Sequence, residues 1–130
     1  MSNLQSLFFP AIETELQRQI SRLDNPRSRL FHDMLAYHMG WTGEGSGRTA
    51  QGKRIRPALL LLTCAACGGD WKSALPAAAS VELVHNFSLI HDDMQDNSTK
   101  RRGRDTVWVK WGIPQGINAG DALFVISNFP

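Results

Sequence analysis

Apolar residues recur every three or four positions through the first 23 residues of the chain. The series is Leu4, Phe8, Ile12, Leu16, Ile20 and Leu23. This spacing puts the apolar side chains on one face of a helix, whereas a half-buried strand would need strict alternation. The helix should end at Asp24-Asn25-Pro26, because a proline disfavours helical conformation in the residue before it.

The next segments continue the helical pattern. We predict a helix over 27–39, then a flexible surface loop over about 40–52, where glycine and small polar residues dominate. The inward positions of that helix are Leu30, Met34 and Leu35. A nearly continuous apolar run predicts a third helix over 56–67 that is buried on most of its faces.

The second half of the chain is also mainly helical by its pattern. An alanine-rich stretch predicts a long helix over 73–94, and the stretch 115–126 predicts another. A polar loop should cover 97–105, and the short run TVWVKW at 106–111 is the one candidate strand. The fold class predicted from the sequence is therefore all-α, a helical bundle.

Composition narrows the classes of protein. The chain has 130 residues and a net charge of +2, which is too small to indicate a nucleic-acid binder by itself. No apolar run approaches the roughly 18 residues that span a bilayer, and the N-terminus lacks the basic region of a secretory signal. Cys64 and Cys67 form one CxxC without a second pair, so we expect core-filling thiols in a reducing, cytoplasmic setting.

Carboxylates cluster at the end of the long predicted helix. Asp92 and Asp96 are four residues apart, so they share one face, and His85 lies two turns earlier on nearly the same side. Asp93 is rotated from that line. A frayed acidic helix end in solvent is the simplest interpretation, yet negative charge is unfavourable at a helix C-terminus unless a cation joins it. Mg²⁺ suits two such carboxylates when waters and substrate phosphates complete its shell.

Basic residues accompany the carboxylates. Lys100, Arg101, Arg102 and Arg104 follow within a few positions, and the segment GKRIRP supplies Lys53, Arg54 and Arg56 at the start of a helix. Arginine side chains match phosphate oxygens in a bidentate manner, and a helix start attracts anions. The combination favours a site for Mg²⁺ and diphosphates.

Taken in order, GKRIRP, VELVHNFSLIHDDMQD, RRGRDTVW and NAGDALF resemble the N-terminal half of trans-isoprenyl diphosphate synthases. The resemblance runs from about residue 52 to 124. It implies one partial isoprenoid synthase domain over 1–130. It also implies a chain-elongating prenyltransferase that condenses isopentenyl diphosphate with an allylic diphosphate, with Mg²⁺ as its cofactor.

The resemblance also implies residue roles. Asp92 and Asp96 would hold Mg²⁺ against the allylic diphosphate with Asp93 in support, and Arg101 would contact the same diphosphate. The residues implied for isopentenyl diphosphate are Lys53, Arg56, His85 and Arg102. Phe87, five residues before the aspartates, holds a position that limits product length in the family, although an aromatic there is by default a core residue. His85 on an apolar helix is by default also a core residue.

The second aspartate-rich motif of these synthases has no counterpart in the sequence. The end at Ser127-Asn128-Phe129-Pro130 falls where the resemblance places the middle of a helix, so we expect a fragment or a short form. We expect a homo-oligomer or pairing with a complementing C-terminal half, because a half-bundle exposes apolar faces. Two alternatives remain: a noncatalytic half-subunit that binds diphosphate and Mg²⁺ or only oligomerises, and a helical domain that binds nucleic acid through KRRGR. We expect no nucleic-acid partner and no stable membrane insertion.

Overall fold

The structure, a computed structural model, describes residues 2–129 and is all-α, as the sequence predicts. The helices are α1 (Ser2–Ile20), α2 (Arg29–His38), α3 (Arg48–Gln51), α4 (Ile55–Ala66), α5 (Leu75–Gln95), α6 (Val107–Trp111) and α7 (Ile113–Ser127). Short 3₁₀ turns cover Ser21–Leu23 and Trp71–Ala74. The strands β1 (Lys100–Arg101) and β2 (Arg104–Asp105) form one small antiparallel hairpin.

Helix α5 lies at the centre and packs against α7, α4 and α1. The predicted apolar face of α1 is confirmed, since Phe8, Ile12, Leu16 and Ile20 are all buried. The side chain of Leu4 and all of Pro130 lie outside the described residues. In α2, Met34 and Leu35 are buried as predicted, but the prediction for Leu30 is wrong because its side chain is 46% exposed.

Small residues let α7 approach α5 closely. Gly116 and Gly120 are buried, and a Cβ atom at Gly116 would lie 2.7 Å from the sulfur of Met94. The His91 ring lies against Gly120 in the same way, and its Nε2 is 3.2 Å from the Ile117 carbonyl oxygen. This contact places the C-terminal end of α5, and therefore its carboxylates, at a defined position beside α7.

The prediction that α4 is buried on most faces is wrong. Within that helix Pro57 and Leu61 are buried, whereas Ile55 and Leu59 are more than half exposed. An apolar run has no periodicity to show which face is covered. Here α1, α5 and the 3₁₀ turn Trp71–Ala74 pack against α4 and leave Ile55 and Leu59 exposed.

The candidate strand at 106–111 is helical instead, as α6. Val107 and Trp111 lie four residues apart on one face, where Val107 is buried and Trp111 packs edge-on against Tyr37 with ring centroids 5.2 Å apart. Trp108 also donates from Nε1 to the Ser98 carbonyl at 2.8 Å. These tertiary contacts override the strand preference of β-branched and aromatic residues.

The segment 40–52, predicted as a loop, contains the helical turn α3. Arg104 ties the segment to the hairpin by donating to the carbonyl oxygens of Thr42 at 2.5 Å and Glu44 at 3.0 Å, and it also donates to that of Tyr37 in α2 at 2.8 Å. The flexibility of the segment and the extent of the domain stay predictions.

Cys67 is exposed at the C-cap of α4 and Cys64 is half-buried, so the expectation of two core-filling thiols is wrong. Both are free cysteines. Among residues 2–129, no helix combines the length and the apolar character that a bilayer crossing requires.

Candidate functional site

The first basic segment turns sharply before α4. Arg54 has a left-handed backbone with φ 52°, and the helix begins at the next residue, Ile55. Lys53 and Arg56 are exposed, while Arg54 is only 2% exposed and pairs with Glu13 and Glu82. Arg54 is therefore unavailable for the phosphate contact that its position in GKRIRP suggests, whereas Lys53 and Arg56 remain accessible.

The second basic segment is the β1–β2 hairpin. Its two central residues, Arg102 and Gly103, have φ values of 52° and 76°, as a two-residue type I′ turn requires. This turn directs Arg102 inward, and its Nη1 donates to the Ala50 carbonyl at 3.1 Å. Burial, and then the nearby Arg54 and Arg101, lower the pKa of Arg102. The turn therefore holds the Arg102 guanidinium against the backbone carbonyl of Ala50, three residues before Lys53.

Gly52 makes this meeting of the two basic segments possible. Its φ of 82° and ψ of −173° belong to a region that is essentially restricted to glycine. A Cβ atom there would lie 2.8 Å from Nη2 and 2.9 Å from Cζ of Arg102. The last glycine of the loop therefore provides both the turn and the space for the guanidinium.

We expect Gly52→Ala to lower the free energy of unfolding by about 1–3 kcal/mol for the strained backbone. Displacement of Arg102 from its hydrogen bond should cost about 1 kcal/mol more. Urea unfolding measures the sum of the two losses. The control is Gly68→Ala, because Gly68 has the same φ of 82° and no neighbouring atom within 4 Å of the added Cβ. Equal losses in the two variants would show that the Arg102 contact contributes nothing.

The three aspartates of the acidic cluster have different surroundings. Asp92 and Asp96 are exposed at the end of α5, as their spacing predicts. Asp93 is 3% exposed, and its two carboxylate oxygens accept from Nε and Nη2 of Arg101, each at 2.8 Å. This pairing raises the pKa of Arg101. Asp93 therefore holds Arg101 beside Asp92, and Nη1 of Arg101 remains for a further acceptor.

His85 contacts the first basic segment. Nη1 of Arg56 donates to Nε2 of His85 at 3.2 Å, and because a guanidinium can only donate, Nε2 carries no proton. Burial and then the charge of Arg56 lower the pKa of His85. The structure thus brings His85 and Arg56 together across 29 residues of sequence.

The donor set at the end of α5 fits part of a magnesium shell. Asp92 and Asp96 offer exposed carboxylate oxygens one turn apart, which is the donor type that Mg²⁺ prefers, and Mg²⁺ usually keeps several waters. Within residues 2–129, no group of three or more His, Cys, Asp or Glu side chains could enclose a metal ion. A cation here would therefore depend on oxygens from water or from a bound ligand.

The side chain of Phe87 on α5 is half-buried and faces α7. Its ring is tilted against Phe124 with centroids 5.0 Å apart and meets the His91 ring edge-on at 5.5 Å. Its role in product length stays a prediction, and Phe124 is the neighbour that sequence reasoning did not identify.

Sequence reasoning also missed the acids beneath the basic segments. Glu13 and Glu82 are buried and accept from Arg54, which lies 41 and 28 residues away from them in the chain. No local spacing signals such pairs. The one available signal is that each acid lies directly beside a buried apolar residue in the sequence, Glu13 after Ile12 and Glu82 before Leu83.

Known proteins resemble both the sequence and the structure. The polyprenyl synthetase family profile matches residues 46–128. A (2E,6E)-farnesyl diphosphate synthase from Mycobacterium tuberculosis is 45% identical over 120 residues, which are 90% of this chain and 32% of that protein. A geranylgeranyl diphosphate synthase from Methanosarcina mazei is 56% identical over 75 residues, which are 58% of this chain and 23% of that protein.

A crystal structure of a polyprenyl synthetase from Streptomyces coelicolor A3(2) superposes with a TM-score of 0.83 at 38% identity, covering 98% of this chain and 37% of that one. The chain thus spans about a third of the length of the relatives it matches. Since the profile covers more than half of the chain and includes both basic segments and the aspartates, the chain belongs to the polyprenyl synthetase family.

Proposed function

We propose that the chain carries the first diphosphate-binding part of a chain-elongating prenyltransferase, which condenses isopentenyl diphosphate with an allylic diphosphate. The observation that carries this proposal is the meeting of the two basic segments. Arg102 donates to the Ala50 carbonyl and lies close to Gly52, the residue directly before Lys53. Arg101 pairs with Asp93, the residue directly after Asp92. Cations from distant parts of the chain therefore line α5 from its middle, where Arg56 contacts His85, to its C-terminal end, where Arg101 contacts Asp93.

Each residue has a defined task in this proposal. Lys53, Arg56, His85 and Arg102 bind the diphosphate of isopentenyl diphosphate. Arg101 binds the allylic diphosphate, oriented by Asp93 through the two hydrogen bonds of 2.8 Å. Asp92 and Asp96 would hold Mg²⁺, which when bound supplies Lewis-acid stabilisation of the diphosphate leaving group. In the reaction the allylic carbon–oxygen bond breaks, a carbon–carbon bond to isopentenyl diphosphate forms, and a proton is lost.

The proposal includes a partner that covers exposed apolar faces. Ile55 and Leu59 on α4, Val84 on α5, and Phe124 and Val125 on α7 are between 40% and 57% exposed. Apolar side chains concentrated on neighbouring helices are typical of a contact surface. The occupant would be a second copy of the chain or a complementing C-terminal half, since about two thirds of the Mycobacterium tuberculosis relative lies outside the match.

The alternative function is a noncatalytic half-subunit that binds Mg²⁺ and diphosphate or only oligomerises. The chain carries the aspartate pair Asp92 and Asp96 and matches 32% of the length of that relative. Turnover and binding must therefore be measured separately.

The test is Mg²⁺-dependent incorporation of labelled isopentenyl diphosphate into dimethylallyl, geranyl and farnesyl diphosphates. We expect Asp92→Asn to lower product formation on the order of 100-fold, because it weakens charge stabilisation of the leaving group. EDTA should abolish the product. The control is Asp33→Asn, an exposed acid on α2, a helix that carries none of the residues assigned to the site. Binding of isopentenyl diphosphate by calorimetry without any product would favour the alternative. The absence of both binding and product would contradict the proposed function and would leave oligomerisation as the remaining role.

A further inference from the structure

The Arg54 guanidinium is occupied by hydrogen bonds to other parts of the protein. Its Nε donates to Glu13 Oε1, its Nη1 donates to Glu82 Oε1 at 3.1 Å, and its Nη2 donates to the Met39 carbonyl at 3.2 Å. All three nitrogens of the guanidinium therefore have buried acceptors, which come from α1, α5 and the end of α2.

The two carboxylates are themselves held in place. Trp41 donates from Nε1 to Glu13 Oε2 at 2.7 Å, and Asn86 donates from Nδ2 to Glu82 Oε1 at 3.0 Å. A buried polar network whose members are satisfied is rigid, because any displacement leaves a donor or an acceptor unpaired. The position of Arg54 is therefore determined by three helices.

The backbone of Arg54 supports the same interpretation. A non-glycine residue with φ of 52° is in an unfavourable conformation that persists only when its surroundings over-determine it. Here the paired guanidinium supplies that constraint. Lys53, directly before Arg54, and Arg56, two residues after it at the start of α4, are both exposed.

One turn of α5 receives both arginines of the segment. Arg54 bonds to Glu82, and Arg56 bonds to His85, three residues further along the same helix. These two attachments fix the orientation of the segment against α5. The buried Arg54 side chain thus determines where the exposed Arg56 side chain lies.

We propose that Arg54 is a positioning residue, whose buried guanidinium holds Lys53 and Arg56 in the orientation that receives a diphosphate. That the ligand is a diphosphate rests on the proposed function, whereas the positioning of Arg56 by Arg54 does not. A segment ordered in advance loses less conformational freedom when a ligand binds. The competing explanation is that Arg54 only stabilises the fold.

The deciding experiment follows the imidazole of His85 by NMR through a pH titration in the wild-type chain and in Arg54→Met. The charged groups that act on His85 are Arg56, Glu82, Arg102 and Arg101, so loss of Arg54 should reach His85 through the position of Arg56 and through Glu82, which loses its cation. Arg54→Lys keeps a cation beside Glu82, so a rise in the pKa of His85 in that variant too reports the position of Arg56. We expect the pKa of His85, which burial and Arg56 hold low, to rise toward its ordinary value in Arg54→Met. We also expect the Kd for isopentenyl diphosphate to increase at least tenfold, at a temperature where the variant is folded.

Leu123→Ala is the control, because Leu123 is fully buried on α7 outside this network and its truncation destabilises the fold. It should leave both the His85 titration and the Kd unchanged. An unchanged titration in Arg54→Met would overturn the inference, whatever the affinity. A wild-type chain that binds no diphosphate would contradict the proposed function alone. If Arg54→Met does not fold, Arg54→Lys serves, because it keeps the charge but cannot reach all three acceptors, and the same shift is expected.

Discussion

Arg54→Met is expected to lower the free energy of unfolding by about 3–5 kcal/mol, since removing one member of a buried ion pair leaves the other charge uncompensated. Glu13 and Glu82 are 8% and 3% exposed, and both would lose their cation. Methionine has a similar length, so the loss comes from charge and hydrogen bonding more than from an empty volume. Urea unfolding at neutral pH measures this loss.

Arg29→Met provides the matched control. Arg29 pairs with Asp24 at 3.2 Å, but both side chains are about half exposed or more. An exposed pair contributes between about 0 and 1 kcal/mol, so this substitution should have little effect. The physical account of Arg54 is wrong if the two arginine variants lose similar amounts of stability.

Stability should fall by about 2 kcal/mol between pH 7 and pH 5 because of His38. Burial, followed by the charge of Arg102, lowers the pKa of this histidine from 6.5 to about 3. The unfolded chain therefore takes up a proton below about pH 6.5 that the folded chain does not accept until about pH 3. Because the unfolded state binds more protons in that window, the free energy of unfolding falls as the pH falls.

The difference between the wild-type chain and His38→Gln isolates this contribution. His38 donates from Nε2 to Asn86 Oδ1 at 3.0 Å, and a glutamine amide can keep a hydrogen bond without titrating. Urea unfolding at pH 7, 6 and 5 should show a smaller decline in the variant by about 2 kcal/mol. Parallel declines in the two proteins would show that His38 takes up its proton in the folded state.

Much of the fold could be predicted from local pattern. The spacing of Phe8, Ile12, Leu16 and Ile20 predicts α1 and its buried face, and both are confirmed. Prediction failed where periodicity was missing. The apolar run of α4 does not show that one face stays uncovered, and the short segment 106–111 becomes helical through contacts with Tyr37 and Ser98.

The candidate site divides in the same way. The i to i+4 spacing of Asp92 and Asp96 predicts two carboxylates on one face of a helix end, and both are exposed there. In contrast, Asp93 and Arg54 belong to motifs that suggest ligand contacts, yet each is buried in an ion pair. Side chains in one motif have the same local sequence signal, and only their partners distinguish those that face solvent from those that face the protein.

The sequence by itself determined that the chain is helical, that it carries paired carboxylates and two basic segments, and which family it resembles, because these depend on residues close together in the chain. Only the tertiary structure decided that Arg102 reaches Gly52, that Arg56 reaches His85, and that Glu13 and Glu82 hold Arg54. The physical reason is sequence distance. A pairing across 28 to 52 residues depends on how helices pack, and that packing is fixed by the summed burial of many apolar side chains rather than by a local motif.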